Sequence, residues 1–236
     1  MKSLLPLTLL VLLSVMNGCR PKPVVVDSKI WLHRANSIEE AQRYQYEYGG
    51  LEIDVYYVDS LETFLIKHDL DAVSNLTMDE WCDALDNVSR LGLWFDFKNL
   101  NERNGEAALQ ALISIRDKYH LNGKLYVESP QYQLLKAFRD AGFSTSFYIP
   151  YYYPALDDSV MYSQQLNKIQ DAIDSGVDAI SGNESQYEYL KTAFPTQTKL
   201  IWTINKDAEY QSDVIKNVGS DSLVDVLLLP VAQTNR

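Results

Sequence analysis

Leu51-Glu52-Ile53-Asp54-Val55-Tyr56 alternates apolar and acidic side chains through a run rich in β-branched and aromatic residues, the two-residue period of a strand. Short runs of related composition recur at 30–33, 93–97, 124–128, 144–149, 179–181, 200–204 and 224–229. Amphipathic stretches with helical spacing separate them at 37–48, 78–91, 106–119, 131–141, 159–175, 185–193 and 208–218. Strand and helix in alternation is the pattern of βα units, because parallel strands need a crossover helix. Eight strands and seven helices predict an α/β fold, a minimal single-domain (β/α)8 TIM barrel over 29–236, with no eighth helix because only six residues follow Pro230. An open, doubly wound sheet is the alternative arrangement of the same units.

A chain of 236 residues suits one such domain. With 32 Asp and Glu against 21 Lys and Arg, the formal charge of −11 repels a phosphate backbone over most of the surface, which argues against nucleic acid as a partner.

Lys2 precedes an apolar run at 4–16, shorter than the roughly 20 residues that a spanning helix needs but suited to a signal-peptide core. The run closes on Gly18-Cys19, which resembles a bacterial lipoprotein processing site. The expectation is a signal peptide over 1–18, lipidation of Cys19 and a tether over 19–28, giving an exported protein anchored to a membrane on its periplasmic or cell-surface side. Cys82, inside a helical pattern, would then have no intrachain partner and reads as a small core residue.

Barrel sites gather at the C-terminal ends of strands. Those ends carry His33-Arg34, then Glu52 and Asp54, then Asp96 and Lys98, then Glu128. Glu52 and Asp54 share a strand face, so they either hold a hard cation together or pair with Lys98 or Arg34 in a salt bridge. A second extended piece at 63–66, with a turn near 60–61, predicts a hairpin that returns His68 beside 53–54. His33 and His68 thereby map to one mouth, whereas His120 closes a helix. Tyr148 and Tyr151-Tyr152-Tyr153 end the fifth strand and its loop; with Trp202 they form either a substrate wall or a cover for the barrel top.

His33-Arg34-Ala35-Asn36, Glu52-Ile53-Asp54-Val55 and His68-Asp69, followed by Trp202-Thr203-Ile204-Asn205, together resemble the signature of glycerophosphodiester phosphodiesterases, members of the wider group of phospholipase-C-like barrel phosphodiesterases. Ala35 stands where the family usually has glycine, and Asp96 where it commonly has a third metal-binding Glu. The resemblance implies a metal-dependent phosphoric diester hydrolase. Glu52, Asp54 and Asp96 would hold Mg²⁺ or Ca²⁺, and Arg34 and Lys98 would bind phosphate. His33 and His68 would be acid and base, in an order the residues leave open, with Glu128, Tyr151 and Trp202 at the substrate. The implied partner is a small phosphodiester or lipid headgroup, hydrolysed to glycerol 3-phosphate and an alcohol if it is a glycerophosphodiester. Phospholipase-D-like cleavage of an intact phospholipid, and a non-catalytic binding lipoprotein on the same barrel, are the rival readings.

Overall fold

The computed structural model describes residues 29–69 and 71–233. The expected signal peptide, Cys19 and the tether at 19–28 lie outside the described residues.

Nine strands form one sheet: β1 Ile30–Leu32, β2 Gly50–Val58, β3 Thr63–Ile66, β4 Gly92–Phe97, β5 Leu125–Ser129, β6 Ser144–Tyr148, β7 Ala179–Asn183, β8 Thr198–Trp202 and β9 Val224–Leu229. Eight are parallel in the order β1-β9-β8-β7-β6-β5-β4-β2, and pairing of Trp31 with Gly50 joins β1 to β2 and closes the barrel. The doubly wound alternative is thereby excluded. β3 is the exception, antiparallel to β2 with Val55 opposite Ile66, so the hairpin at 50–66 exists and its register brings Lys67 N–H onto the Asp54 carbonyl at 3.0 Å.

Seven helices fill the crossovers: α1 Ile38–Tyr44, α2 Met78–Asp83, α3 Gly105–Lys118, α4 Tyr132–Asp140, α5 Ser159–Asp174, α6 Tyr187–Ala193 and α7 Ala208–Asn217. Side chains cap the starts of several: Ser37 accepts from Glu40 N–H, Thr77 and Glu80 form a reciprocal capping box, and Asp158 accepts from Val160 and Met161 N–H. α2 is much shorter than the expected 78–91. Its apolar spacing continues through a 3-10 turn at Val88–Arg90, where Leu85, Val88 and Leu91 remain buried but the Asn87 N–H is drawn to Gln45 Oε1 at 3.2 Å. β8 begins two residues before the expected 200–204 because fully buried Lys199 interrupts the apolar run. Its ammonium donates to the Phe194 and Gln197 carbonyls beyond the end of α6.

Strand alternation divides the apolar side chains into two cores. Those facing outward, among them Ile53, Phe95, Val127, Phe147, Ile180 and Ile201, pack in one cluster with helix residues such as Trp81, Leu112, Phe138 and Ile169. Those facing inward, Trp31, Trp94, Tyr126, Ala179, Leu200, Val226 and Leu228, plug the barrel. Trp31 dictates two glycines: a Cβ on Gly50 would lie 2.5 Å from its ring, and one on Gly92 only 2.3 Å. With the middle of the barrel filled by rings, inward polar groups gather at its ends, Lys124 and Tyr126 with Asp225 at the lower one and the carboxylates of β2, β4 and β5 at the upper.

Candidate active site

Parallel register stacks the inward carboxylates side by side. Asp54 pairs with Asp96 across β2 and β4, and Asp96 with Glu128 across β4 and β5. Glu52 lies one inward position lower, beside Trp94. Glu52, Asp54 and Glu128 are buried. All four carboxylates line one open cleft with His33, Arg34, His68, Lys98, Tyr148 and Trp202.

Each carboxylate has a partner that offsets its desolvation. Glu52 accepts the Arg34 backbone N–H at 2.6 Å, and the Asp54 carboxylate accepts from the Asn36 amide at 2.6 Å while the Asp54 N–H donates back to Asn36 Oδ1. Lys98 Nζ lies 2.8 Å from Asp54 and also bonds Asp96. The Ser181 hydroxyl donates to Glu128. Of the acidic pair, Asp54 makes the ion pair with Lys98, whereas Glu52 is held by the Arg34 backbone N–H. The ion pair leaves charge over, since four carboxylates share the cleft with two fixed cations, Arg34 and Lys98.

Burial first, and that surplus second, set the protonation equilibria. Burial, reinforced by Asp54 and Asp96, holds the Glu52 carboxyl well above the usual range. Burial and then Asp96 do the same for Glu128, against the Ser181 hydrogen bond. Burial also raises Asp96, opposed by Lys98. Burial alone would lower the Lys98 ammonium, but Asp96 and Asp54 outweigh it and hold it above its ordinary value.

One oxygen from each of Glu52, Asp54 and Asp96 lies within 4.8 Å of the others. An all-oxygen donor set carrying excess negative charge, with ligands at this spacing, fits Mg²⁺ or Ca²⁺ and does not suit a soft metal.

The two histidines are held in different ways. His33 Nδ1 lies 2.6 Å from the Thr203 carbonyl, which can only accept, so Nδ1 carries the proton and Nε2 presents a lone pair 3.9 Å from Glu52. Burial pushes this imidazole down to about 4, against the Thr203 bond. His68 Nδ1 pairs with Asp69 at 2.7 Å, and its Nε2 accepts from Arg34 Nη2 at 2.8 Å. Arg34 reaches across because its backbone takes the left-handed conformation, φ 61°.

Trp202 tilts against His33 at 5.9 Å and lies parallel to Tyr148 at 6.5 Å between centroids. Tyr148, rather than Tyr151, lines the cleft; Tyr151 meets Trp202 at 6.4 Å and is itself exposed. All the expected site residues of the barrel therefore belong to one end of the sheet. Four further residues hold them in place: Asn36, Asp69, Ser181 and Thr203. Asn36, Asp69 and Thr203 lie within the quoted motifs, but Thr203 acts through its backbone, which side-chain chemistry could not disclose. Ser181 is marked only by being a small polar residue at an inward strand position. Buried Ala35 sits where its carbonyl accepts the Trp81 indole N–H at 3.0 Å, so the departure from glycine is absorbed by packing.

No protein-family model matches the chain, and no curated protein sequence does. Solved structures do. A glycerophosphodiester phosphodiesterase from Parabacteroides distasonis superposes with a TM-score of 0.57 at 14% identity, covering 85% of this chain and 91% of that one. A phosphodiesterase from Oleispira antarctica, in complex with the product sn-glycerol-3-phosphate, gives 0.57 at 14% over 85% and 92%. A calcium-dependent phosphoinositol-specific phospholipase C from Pseudomonas sp. gives 0.53 at 11% over 89% and 94%. At these identities the likeness establishes the shared barrel, the fold that the sequence resemblance implied.

Proposed function

We propose that this chain is a phosphoric diester hydrolase assisted by a divalent cation, Mg²⁺ or Ca²⁺, whose substrate is a glycerophosphodiester split into glycerol 3-phosphate and an alcohol. The observation that carries the reading is the pairing, in one cleft, of two differently held imidazoles with three carboxylates at ligand spacing. The barrel neighbours that act on phosphodiesters support it.

Glu52, Asp54 and Asp96 would hold the cation, which when bound supplies Lewis-acid polarisation of a phosphoryl oxygen. His33, neutral and with its Nε2 lone pair in the cleft, takes a proton from the attacking water, whose oxygen becomes part of the glycerol 3-phosphate. Arg34 shifts from His68 Nε2 to the phosphoryl oxygens, and the freed Nε2 takes a proton from solvent and passes it to the leaving oxygen. Asp69 on Nδ1 fixes the orientation of that ring. Lys98 and Arg34 balance the negative charge that grows on the phosphoryl group. Glu128 and the Tyr148–Trp202 wall face the alcohol. The same reading has the protein exported and anchored through a lipidated Cys19, so Cys19→Ser should accumulate as a precursor that takes up no labelled lipid.

The test is a panel of glycerophosphodiesters, lysophospholipids and phospholipids, assayed with Mg²⁺ or Ca²⁺ and with chelator. Chelator-sensitive release of alcohol from a glycerophosphodiester, lost in His33→Ala, is expected. Parental rates in both chelator and His33→Ala, or no turnover of any diester, would overturn the reading.

A further inference from the structure

Ten large apolar side chains are exposed among the described residues, and seven of them belong to two segments on the mouth side of the barrel. The segment leaving β6 contributes Tyr151, Tyr152 and Leu156, at 63%, 71% and 77% exposure, followed by Val160 and Met161 in the first turn of α5. The segment leaving β8 contributes Ile204 at 60% and Tyr210 in the first turn of α7. Both leave the C-terminal ends of parallel strands, so they stand on the same pole as the cleft, and Tyr151 reaches the cleft wall through Trp202. Scattered apolar side chains on a surface need no explanation, but a concentration at one mouth does.

We propose that this rim, residues 151–161 and 204–210, seats on a zwitterionic lipid surface, so that the cleft takes its phosphodiester from that surface. The proposal rests on the phosphodiester-hydrolase reading and extends its substrate from the soluble glycerophosphodiester to a phosphodiester headgroup still carried by a lipid. The charges interleaved with the apolar tips choose the occupant. Asp157, Asp158 and Glu209 are exposed against Lys206, a rim that repels anionic headgroups and attracts the outward ammonium groups of a zwitterionic surface. Tyrosine, with an apolar ring and a polar tip, suits the boundary between headgroup and acyl chain. A protein partner seated here would close the cleft, whereas a lipid surface delivers a phosphodiester to it. No helix among the described residues is long and apolar enough to cross a membrane, so this contact is peripheral.

Two readouts on the full-length chain test it. In the first, Leu156→Cys, in a Cys19→Ser background, carries a polarity-sensitive dye; Cys82 does not compete, being buried with its thiol pushed up to about 12 by that burial. Phosphatidylcholine vesicles should shift the dye emission to the blue, and vesicles rich in phosphatidylglycerol should do so less. No shift on either, or a shift that grows with protein concentration without vesicles and so reports a second copy, would overturn the proposal. In the second readout, Tyr152→Ser combined with Leu156→Ser and Val160→Ser should slow hydrolysis of vesicle-borne phospholipid about tenfold or more, as expected for withdrawing apolar side chains from an apolar phase. Hydrolysis of soluble glycerophosphocholine should stay at the parental rate. Equal effects on both substrates would refute the docking role. If the parent cleaves the soluble diester but no vesicle-borne phospholipid, delivery from the surface is refuted and the hydrolase reading stands; if it cleaves neither, the hydrolase reading fails, while the dye still decides the rim.

Discussion

Arg34 Nη2 donates to His68 Nε2 across 2.8 Å, joining the residue after the first motif histidine to the second histidine. The backbone that makes this reach possible has φ 61°, a conformation that costs an L-residue other than glycine roughly 1–2 kcal/mol. Arg34→Gly should therefore be more stable than Arg34→Ala by about 1 kcal/mol in urea unfolding. Both should lose about 10²-fold or more in turnover, because both remove the guanidinium that stabilises phosphoryl charge. Equal stabilities would show that position 34 carries no strain.

Lys98 is expected to compete with the cation for Asp54 and Asp96, since its ammonium bonds both. Lys98→Met leaves the buried carboxylates without that partner, so in chelator the variant should lose about 3 kcal/mol of stability. Added Ca²⁺ or Mg²⁺ should then raise its melting temperature by more than it raises the parent's, because the ion binds only the folded site. An equal rise in both proteins would mean that the carboxylates do not share their ligands between Lys98 and an ion.

Much of this arrangement could be read before any coordinates, because alternation along β2 and the register of its hairpin follow from side-chain period and turn position alone. Ile66 opposite Val55 is the pairing that sends His68 back to the acidic end. What escaped reading depends on groups without a local pattern. Buried Lys199 hid the start of β8, a 3-10 turn imitated the spacing of a longer α2, and the Thr203 carbonyl fixes His33 without using a side chain. That Lys98 bonds Asp54 and Asp96 also needed the structure, since spacing along β2 puts Glu52 and Asp54 on one face and does not say which of them Lys98 reaches.

Gly92 is expected to tolerate no side chain, because a Cβ would lie 2.3 Å from the buried Trp31 ring, which plugs the barrel and cannot move aside. Gly92→Ala should cost about 2–3 kcal/mol by overpacking, read as a lower denaturation midpoint. Gly105→Ala, whose Cβ would come no closer than 3.9 Å to Leu100, should cost nothing and, at a helix start, gain slightly. Similar midpoints for both variants would remove Trp31 as the reason for the glycine.

Catalytic and ligand roles should separate by substitution. Glu52→Gln removes a charged oxygen from the candidate cation site and should weaken calorimetric binding of Ca²⁺ or Mg²⁺ together with turnover. His68→Ala, outside that donor set, should keep ion binding and lose about 10²–10⁴-fold in turnover. Loss of ion binding in His68→Ala as well would place His68 among the ligands.

The pH dependence of stability should carry the mark of Glu128, whose carboxyl is held well above the usual range by burial and by Asp96. A carboxyl with a raised folded pKa binds protons more tightly in the folded state than in the unfolded one, so its contribution to stability falls as pH rises. The fall begins above the ordinary Glu value of about 4.3 and continues until the folded group ionises. His33 acts with the opposite sign: pushed down to about 4, it contributes stability that is present above about 6.5 and lost as pH drops through the folded value. Whole-protein curves mix the two, and the difference between parent and Glu128→Gln isolates one. The amide can still accept from the Ser181 hydroxyl but does not titrate, so the variant should gain on the parent steadily from pH 5 to pH 8 in chelator, read by urea unfolding at each pH. Divalent cation should shrink that gain, because an ion beside Asp96 relieves the repulsion that raises Glu128. A constant difference across the range would show that Glu128 ionises in the folded protein as it does in the unfolded chain.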